Sequence, residues 1–114
     1  MDRGSPLSRS FDVLSNYRRR LVLYHLLETF DGCASLEALT DIIVAESEGL
    51  DVTPETHRRT MVSLQHVHLP KLVAMGVVEH DEAENVVRLR TPSPMVDRLL
   101  DLCLDYETYD HCRN

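Results

Sequence analysis

Apolar residues recur along this chain with two different periods, and the changes of period mark its elements. The densest run is Leu21, Val22, Leu23, Tyr24, Leu26 and Leu27, which covers nearly the whole circumference of a helix. A helix apolar on every side belongs in the middle of a small domain and not at its edge. Ser15, ahead of Asn16-Tyr17-Arg18-Arg19-Arg20, reads as its N-cap, and Asp31-Gly32 as its stop. Cys33-Ala34 suits a brief strand. Behind a Ser35 cap, Leu36, Leu39, Ile42 and Ile43 repeat at helical spacing, with Glu37, Asp41 and Glu46 outward. Residues 48–52 read as a loop. Thr53-Pro54-Glu55 then combines an N-cap, a first-turn proline and an early carboxylate, a strong helix start. Met61, Leu64, His68, Leu72 and Met75 continue one side of that helix to about Met75. Pro70 lies inside the pattern and predicts a kink or break near Val67, and Gly76 ends the helix.

The period then shortens. Val77–His80 and Val86–Arg90 are β-rich runs joined by the polar loop Asp81–Asn85, which predicts a hairpin. A hairpin is not stable alone, and Cys33-Ala34 offers it a third strand. Thr91-Pro92-Ser93-Pro94 breaks the chain and caps a last helix to about Asp110. Residues 1–10 are polar and read as a loose, flexible arm, with residues 11–14 suited to a short helical turn. The predicted fold is mainly α with a small β-hairpin. It is a winged helix-turn-helix domain over 11–91, followed at 92–114 by a C-terminal amphipathic helix. At 114 residues the chain fits one domain.

Charge changes the picture more than composition does. Acidic residues outnumber basic ones 19 to 12, a net charge of −7, which counts against nucleic acid. The distribution is uneven: residues 15–27 carry +3, 28–51 carry −7 and 52–72 carry +2. Only Lys71 is lysine; the other bases are arginine, on an acidic background. That composition resembles that of proteins from salt-loving archaea; the alternative is a GC-rich genome that encodes arginine over lysine. At molar salt the Debye length is only ~3 Å, so local charge outweighs net charge. No run of 18 apolar residues exists and the N-terminus lacks the apolar core of a signal peptide, so a cytoplasmic location is expected. Cys33, Cys103 and Cys112 form no CxxC pair, and neither a disulfide scaffold nor a structural zinc site is expected.

Two blocks carry a resemblance. Leu14-Ser15-Asn16-Tyr17-Arg18-Arg19-Arg20-Leu21-Val22-Leu23-Tyr24 is one. The other is Val67-His68-Leu69-Pro70-Lys71-Leu72 with Met75-Gly76-Val77-Val78-Glu79-His80-Asp81. Together they resemble a haloarchaeal winged helix-turn-helix domain family of uncharacterised function, itself similar to regulators of the arsenic-repressor and multiple-antibiotic-resistance types. The resemblance covers about residues 11 to 91. It implies the fold and a transcriptional role, and names no target or ligand.

In a helix-turn-helix the second helix enters the major groove with its early residues toward the bases. Here that recognition helix is about 54–67, and its candidate contacts to double-stranded DNA are Thr56, His57, Arg58, Arg59, Val62, Ser63 and His66. Arg58 or Arg59 could read guanine or hold phosphate; alternatively they solvate a helix face. Arg18 and Arg19 are further phosphate candidates, although Arg18–Arg20 span about 200° of helix and cannot all face one duplex. Arg88 and Arg90 are the wing's only bases, while Asp81, Glu82 and Glu84 at its tip repel phosphate. The alternative is a protein-interaction module that has lost DNA binding and docks a partner through its acidic surface.

The terminal helix carries Met95, Val96, Leu99, Leu100, Leu102, Cys103, Leu104 and Tyr106 over about 200°, more than the ~100° one small domain covers. A homodimer through Met95, Val96, Leu99, Leu100, Leu102, Cys103 and Tyr106 is expected; the alternative is folding back onto the first long helix. His66 and His68 lie about 200° apart and cannot chelate together, so His68 reads as a core histidine. A redox disulfide across a dimer, or with Cys33, stays open. No phosphate loop, HExxH or nucleophile–base pair is present, so no catalytic residue, cofactor or metal is expected, and the chain reads as no enzyme.

Overall fold

The computed structural model describes residues 5–47, 52–91 and 93–107. Its elements run α1 (Pro6–Leu14), α2 (Tyr17–Glu28), β1 (Cys33–Ser35), α3 (Leu36–Ser47), α4 (Pro54–Ser63), a π-helical turn (Leu64–His68), α5 (Leu69–Ala74), β2 (Val78–Asp81), β3 (Val86–Leu89) and α6 (Pro94–Glu107). Mainly helical, with a small antiparallel sheet and a C-terminal helix, this is a winged-helix-like layout.

The start of the chain corrects the sequence reading. The part of the expected arm from Pro6 onward is helical. Ser5 caps α1 through its side chain, Pro6 occupies the first turn, and Ser10 is buried with its hydroxyl donating to the Pro6 carbonyl. The cap of α2 is Asn16 and not Ser15: its side-chain oxygen accepts from the backbone N–H groups of Arg18 and Arg19. Ser15 closes α1 instead. Both residues are competent caps, and the choice depended on α1, which ends one residue earlier.

α2 is the central helix. Leu21, Val22, Leu23, Tyr24 and Leu26 are at most 1% exposed, and only Leu27 of the apolar run reaches the surface. Around α2 the core gathers Val13 and Leu14 from α1, Leu39 and Ile43 from α3, Leu64, Leu69 and Leu72, Val78 and Val87 of the hairpin, and Val96 and Leu100 of α6.

The break expected near Val67 takes a specific form. Pro70 has no N–H, and the chain widens one turn ahead of it so that the Leu69 N–H reaches the Leu64 carbonyl, five residues back. The extra residue in that turn buries both His68 and Leu69. A straight helix would have set Leu69 on the flank, about 100° round from His68.

The sheet order is β1-β3-β2, all antiparallel, with Cys33 opposite Arg88 and Val78 opposite Leu89. The hairpin thus closes on Cys33-Ala34. At its tip Asn85 adopts φ 55, and its carbonyl accepts from the Leu36 N–H, tying the wing to the start of α3. Asn tolerates that left-handed conformation better than most side chains.

α6 folds back onto its own chain. Val96 and Leu100, expected at a subunit contact, are 1% and 3% exposed within the one chain. α6 packs on α1, where the Ser10 hydroxyl lies 3.7 Å from Met95 Sδ. Its last turn is clamped to α2: Glu107 accepts from Arg20 Nε at 2.7 Å and from the Tyr24 hydroxyl at 2.6 Å. Leu99 and Cys103 are half-covered, while Leu102 and Tyr106 are exposed and Met95 borders on it. The end expected near Asp110, with His111 and Cys112, lies outside the described residues. No helix among the described residues is long and apolar enough to cross a membrane.

Candidate nucleic-acid interface

α4 crosses α3 with Thr60 and Leu64 turned inward. The opposite face carries Glu55, Arg58, Arg59, Val62 and His66, all exposed, with Thr56 and Ser63 at its margin. The six sequence-selected residues other than His57 therefore lie on or beside one surface, which His66 continues from the π-helical turn. Arg58 pairs with Glu55 one turn earlier. Both are well exposed, so the pair is weak and yields to a stronger anion.

His57 does not join that face. Position 57 falls on the α3 side of α4, and its Nε2 lies 3.0 Å from Asp41 Oδ1 and 3.4 Å from Glu37 Oε2. Its expected DNA contact is corrected to an inter-helix contact. Helical angle excludes it from the outward face: 57 sits about 160° from 59 on a 100° step.

The three arginines at the start of α2 diverge. Arg18 reaches the α4 face and lines a shallow hollow of about 160 Å³ with Thr56, Arg59, Thr60 and Ser63. Arg19 is 5% exposed, which removes it from the DNA-contact set. Its Nε donates to the Val13 carbonyl at 2.7 Å, its Nη2 to the Asp12 carbonyl at 2.8 Å, and its Nη1 contacts His68 Nδ1 at 3.2 Å. It therefore caps the C-terminal carbonyls of α1. Because a guanidinium only donates, His68 Nδ1 accepts and the imidazole is neutral with its proton on Nε2. Burial, then the charges of Arg19, Arg18 and Lys71, push the His68 pKa down to about 4. Burial likewise lowers Arg19 below its ordinary value. Arg20 goes to Glu107 and stacks 5.7 Å from the Tyr17 ring centroid. That hydrogen bond raises the Arg20 pKa and depresses that of Glu107, while burial and Glu107 raise the Tyr24 hydroxyl.

On the wing, Arg88 and Arg90 are both exposed, and Glu79 serves both. Arg88 Nε lies 3.8 Å from Glu79 Oε1, and Arg90 pairs with Oε2. Asp81, Glu82 and Glu84 are exposed at the tip, as their sequence suggested. Neither Thr60, the buried floor of the α4 hollow, nor Glu79, which pairs with both wing arginines, was singled out from sequence. The strand alternation that puts Glu79 beside Arg88 was available; the convergence of Arg18 on α4 was not.

No curated protein and no solved structure matches this chain. Residues 11–88, most of the chain and ending before α6, match one family and carry both blocks that suggested a resemblance. The chain belongs to the family described as Domain of unknown function (DUF7344).

Proposed function

We propose that this chain is a DNA-binding transcriptional regulator, acting as a dimer in a salt-rich cytoplasm, with α4 as its reading helix. The observation that carries this reading is the convergence of Arg18, Thr56, Arg59 and Ser63 on one open hollow beside exposed Arg58. Two guanidinium groups and the hydroxyls of Thr56 and Ser63 there supply donors suited to phosphate oxygens and base edges. Arg59 and Arg58 contact bases or phosphate, and Arg18 holds the backbone from the start of α2. The acidic tip keeps the wing out of the groove. Leu102, Cys103 and Tyr106 line a second, apolar hollow of about 310 Å³ and, with Met95, make up the dimer face that remains once Val96 and Leu100 belong to the core. An arginine-over-lysine, acidic composition and the similarity of the two sequence blocks to a haloarchaeal winged-helix family support the setting.

Anisotropy titration of labelled genomic fragments at high potassium tests the reading. Arg59→Ala and Arg18→Ala are each expected to weaken binding about tenfold, the scale of one charged contact. Unchanged affinity in both variants removes the site assignment.

A second reading has its own support. Glu79 pairs with both wing arginines, and the segment 28–51 carries −7. These favour a protein-interaction module on a winged-helix scaffold. It replaces the first reading if no DNA binds and a partner is retained by the acidic face.

A further inference from the structure

At the surface, three side chains from α3 and α4 come together. Glu37 and Asp41 stand one turn apart on α3, with side chains 66% and 62% exposed. His57 approaches from α4, its Nε2 3.0 Å from one carboxylate and 3.4 Å from the other. One donor atom from each residue lies within 4.8 Å of the other two. The arrangement is more than a run of acids, because the third member is an imidazole nitrogen delivered by a different helix and aimed between two carboxylates. A single N–H serves one carboxylate well and leaves the like-charged i,i+4 partner uncompensated.

We infer that Glu37, Asp41 and His57 form a divalent-cation site that fastens α4 to α3. Metal–donor bonds of ~2.0–2.2 Å at octahedral to tetrahedral angles separate neighbouring donors by about 2.8–3.6 Å. Both Nε2–oxygen separations here fall within that range, and the exposed carboxylates have room to close the third. Two carboxylates with one imidazole suit a first-row ion such as Zn²⁺ or Mn²⁺, whereas Ca²⁺ and Mg²⁺ take all-oxygen sets. Water completes the coordination on the solvent side. Nε2 binds as the free base, so the ring proton sits on Nδ1. The ion cancels two negative charges beside α4. If the regulator reading above holds, on which this one clause rests, cation binding strengthens DNA binding.

Calorimetry of the chelator-stripped full chain with Zn²⁺, then Mn²⁺, at molar KCl tests the site, since high salt suppresses loose binding to surface acids. One ion per chain is expected. Asp41→Asn and His57→Gln should each weaken it at least ~tenfold, and His66→Gln, exposed beyond α4, should leave it unchanged. Glu37→Gln, on a largely exposed side chain, repeats the test should either of the first two variants fail to fold. Absence of binding, or binding that survives in folded Glu37→Gln, Asp41→Asn and His57→Gln alike, overturns the proposal and leaves His57 as a hydrogen-bond partner of Asp41. Anisotropy with and without Zn²⁺ is read separately. DNA that binds in neither state counts against the regulator, while calorimetry alone still decides the cation site.

Discussion

Arg18, Arg19 and Arg20 are adjacent and chemically identical, and the fold sends them to the surface, the core and the terminal helix in turn. Arg19 shows why the distinction matters. Its guanidinium satisfies two carbonyls and an imidazole nitrogen in a buried position. Arg19→Ala strands all three, and we expect a loss of about 3 kcal/mol in urea unfolding, the scale of a broken buried charged network. Its neighbour His68 makes stability depend on pH. The unfolded chain takes up this proton near the ordinary 6.5, the folded chain only near 4. Between those values the unfolded state binds more protons, so stability falls as pH falls through the window and this contribution levels off below about 4. From about pH 7 to 5 the loss should reach up to about 2 kcal/mol, and His68→Gln should flatten that slope in urea titrations at each pH. Glu107, depressed by its hydrogen bond to Arg20, adds acid sensitivity below the ordinary carboxylate range. The sequence identified His68 as a core histidine, because the i,i+4 pattern through Leu64 and Leu72 placed it inward. It could not identify Arg19, since a helix start with three arginines leaves open which one the preceding helix covers.

At the scale of elements, most starts and stops were legible. Thr53-Pro54-Glu55 opens α4 as expected, with the Thr53 hydroxyl accepting from the Thr56 N–H at 3.0 Å. Two β-rich runs gave both hairpin strands, and the polar loop between them is the wing tip. α1 was read too short because its first turn is polar and only Val13 and Leu14 enter the core. The π-helical turn was legible as a disturbance at Pro70 but not as a widening that buries Leu69. The C-terminal clamp was not legible either, since Arg20 and Glu107 are 87 residues apart. Glu107→Ala should cost about 1–2 kcal/mol, because it strips partners from partly buried Arg20 and Tyr24. Hydrogen exchange should speed up in the last turns of α6 ahead of the rest of the chain. For the wing, Glu79→Gln leaves Arg88 and Arg90 without their shared carboxylate. If the wing lies near the duplex, this variant binds DNA more tightly than wild type; equal affinity places the wing away from it.

For the whole molecule, net charge is a poor guide and its distribution a better one. The acidic excess sits on α3, the wing tip and α6, while Arg18, Arg58 and Arg59 gather on one side of α4. If roughly three phosphates are neutralised, affinity falls with salt on a log–log slope of about −2.7. Arg59→Ala should bring that slope nearer zero by about 0.9 in anisotropy titrations over a salt series. A symmetric pair of chains would offset the weakness of each site. Leu102→Glu with Tyr106→Glu should shift light-scattering mass from dimer to monomer without unfolding, since both side chains are exposed in the single chain, at 53% and 82%. An unaltered mass places any dimer contact elsewhere.

What the sequence by itself determined was local: element type and order, the capping residues of α4, the β-rich runs of the hairpin, and the all-round apolarity that put α2 at the centre. These follow from side-chain periodicity and backbone preference within one stretch of chain, and no distant partner alters them. The tertiary structure alone decided which surface each element kept. Packing of α1 on α2 buried Arg19, the crossing of α3 and α4 took His57 from the outward face and gave it to Glu37 and Asp41, and the return of α6 placed Val96 and Leu100 in the core. Burial depends on what lies across the helix, and that neighbour comes from residues far along the chain, beyond the reach of any local pattern.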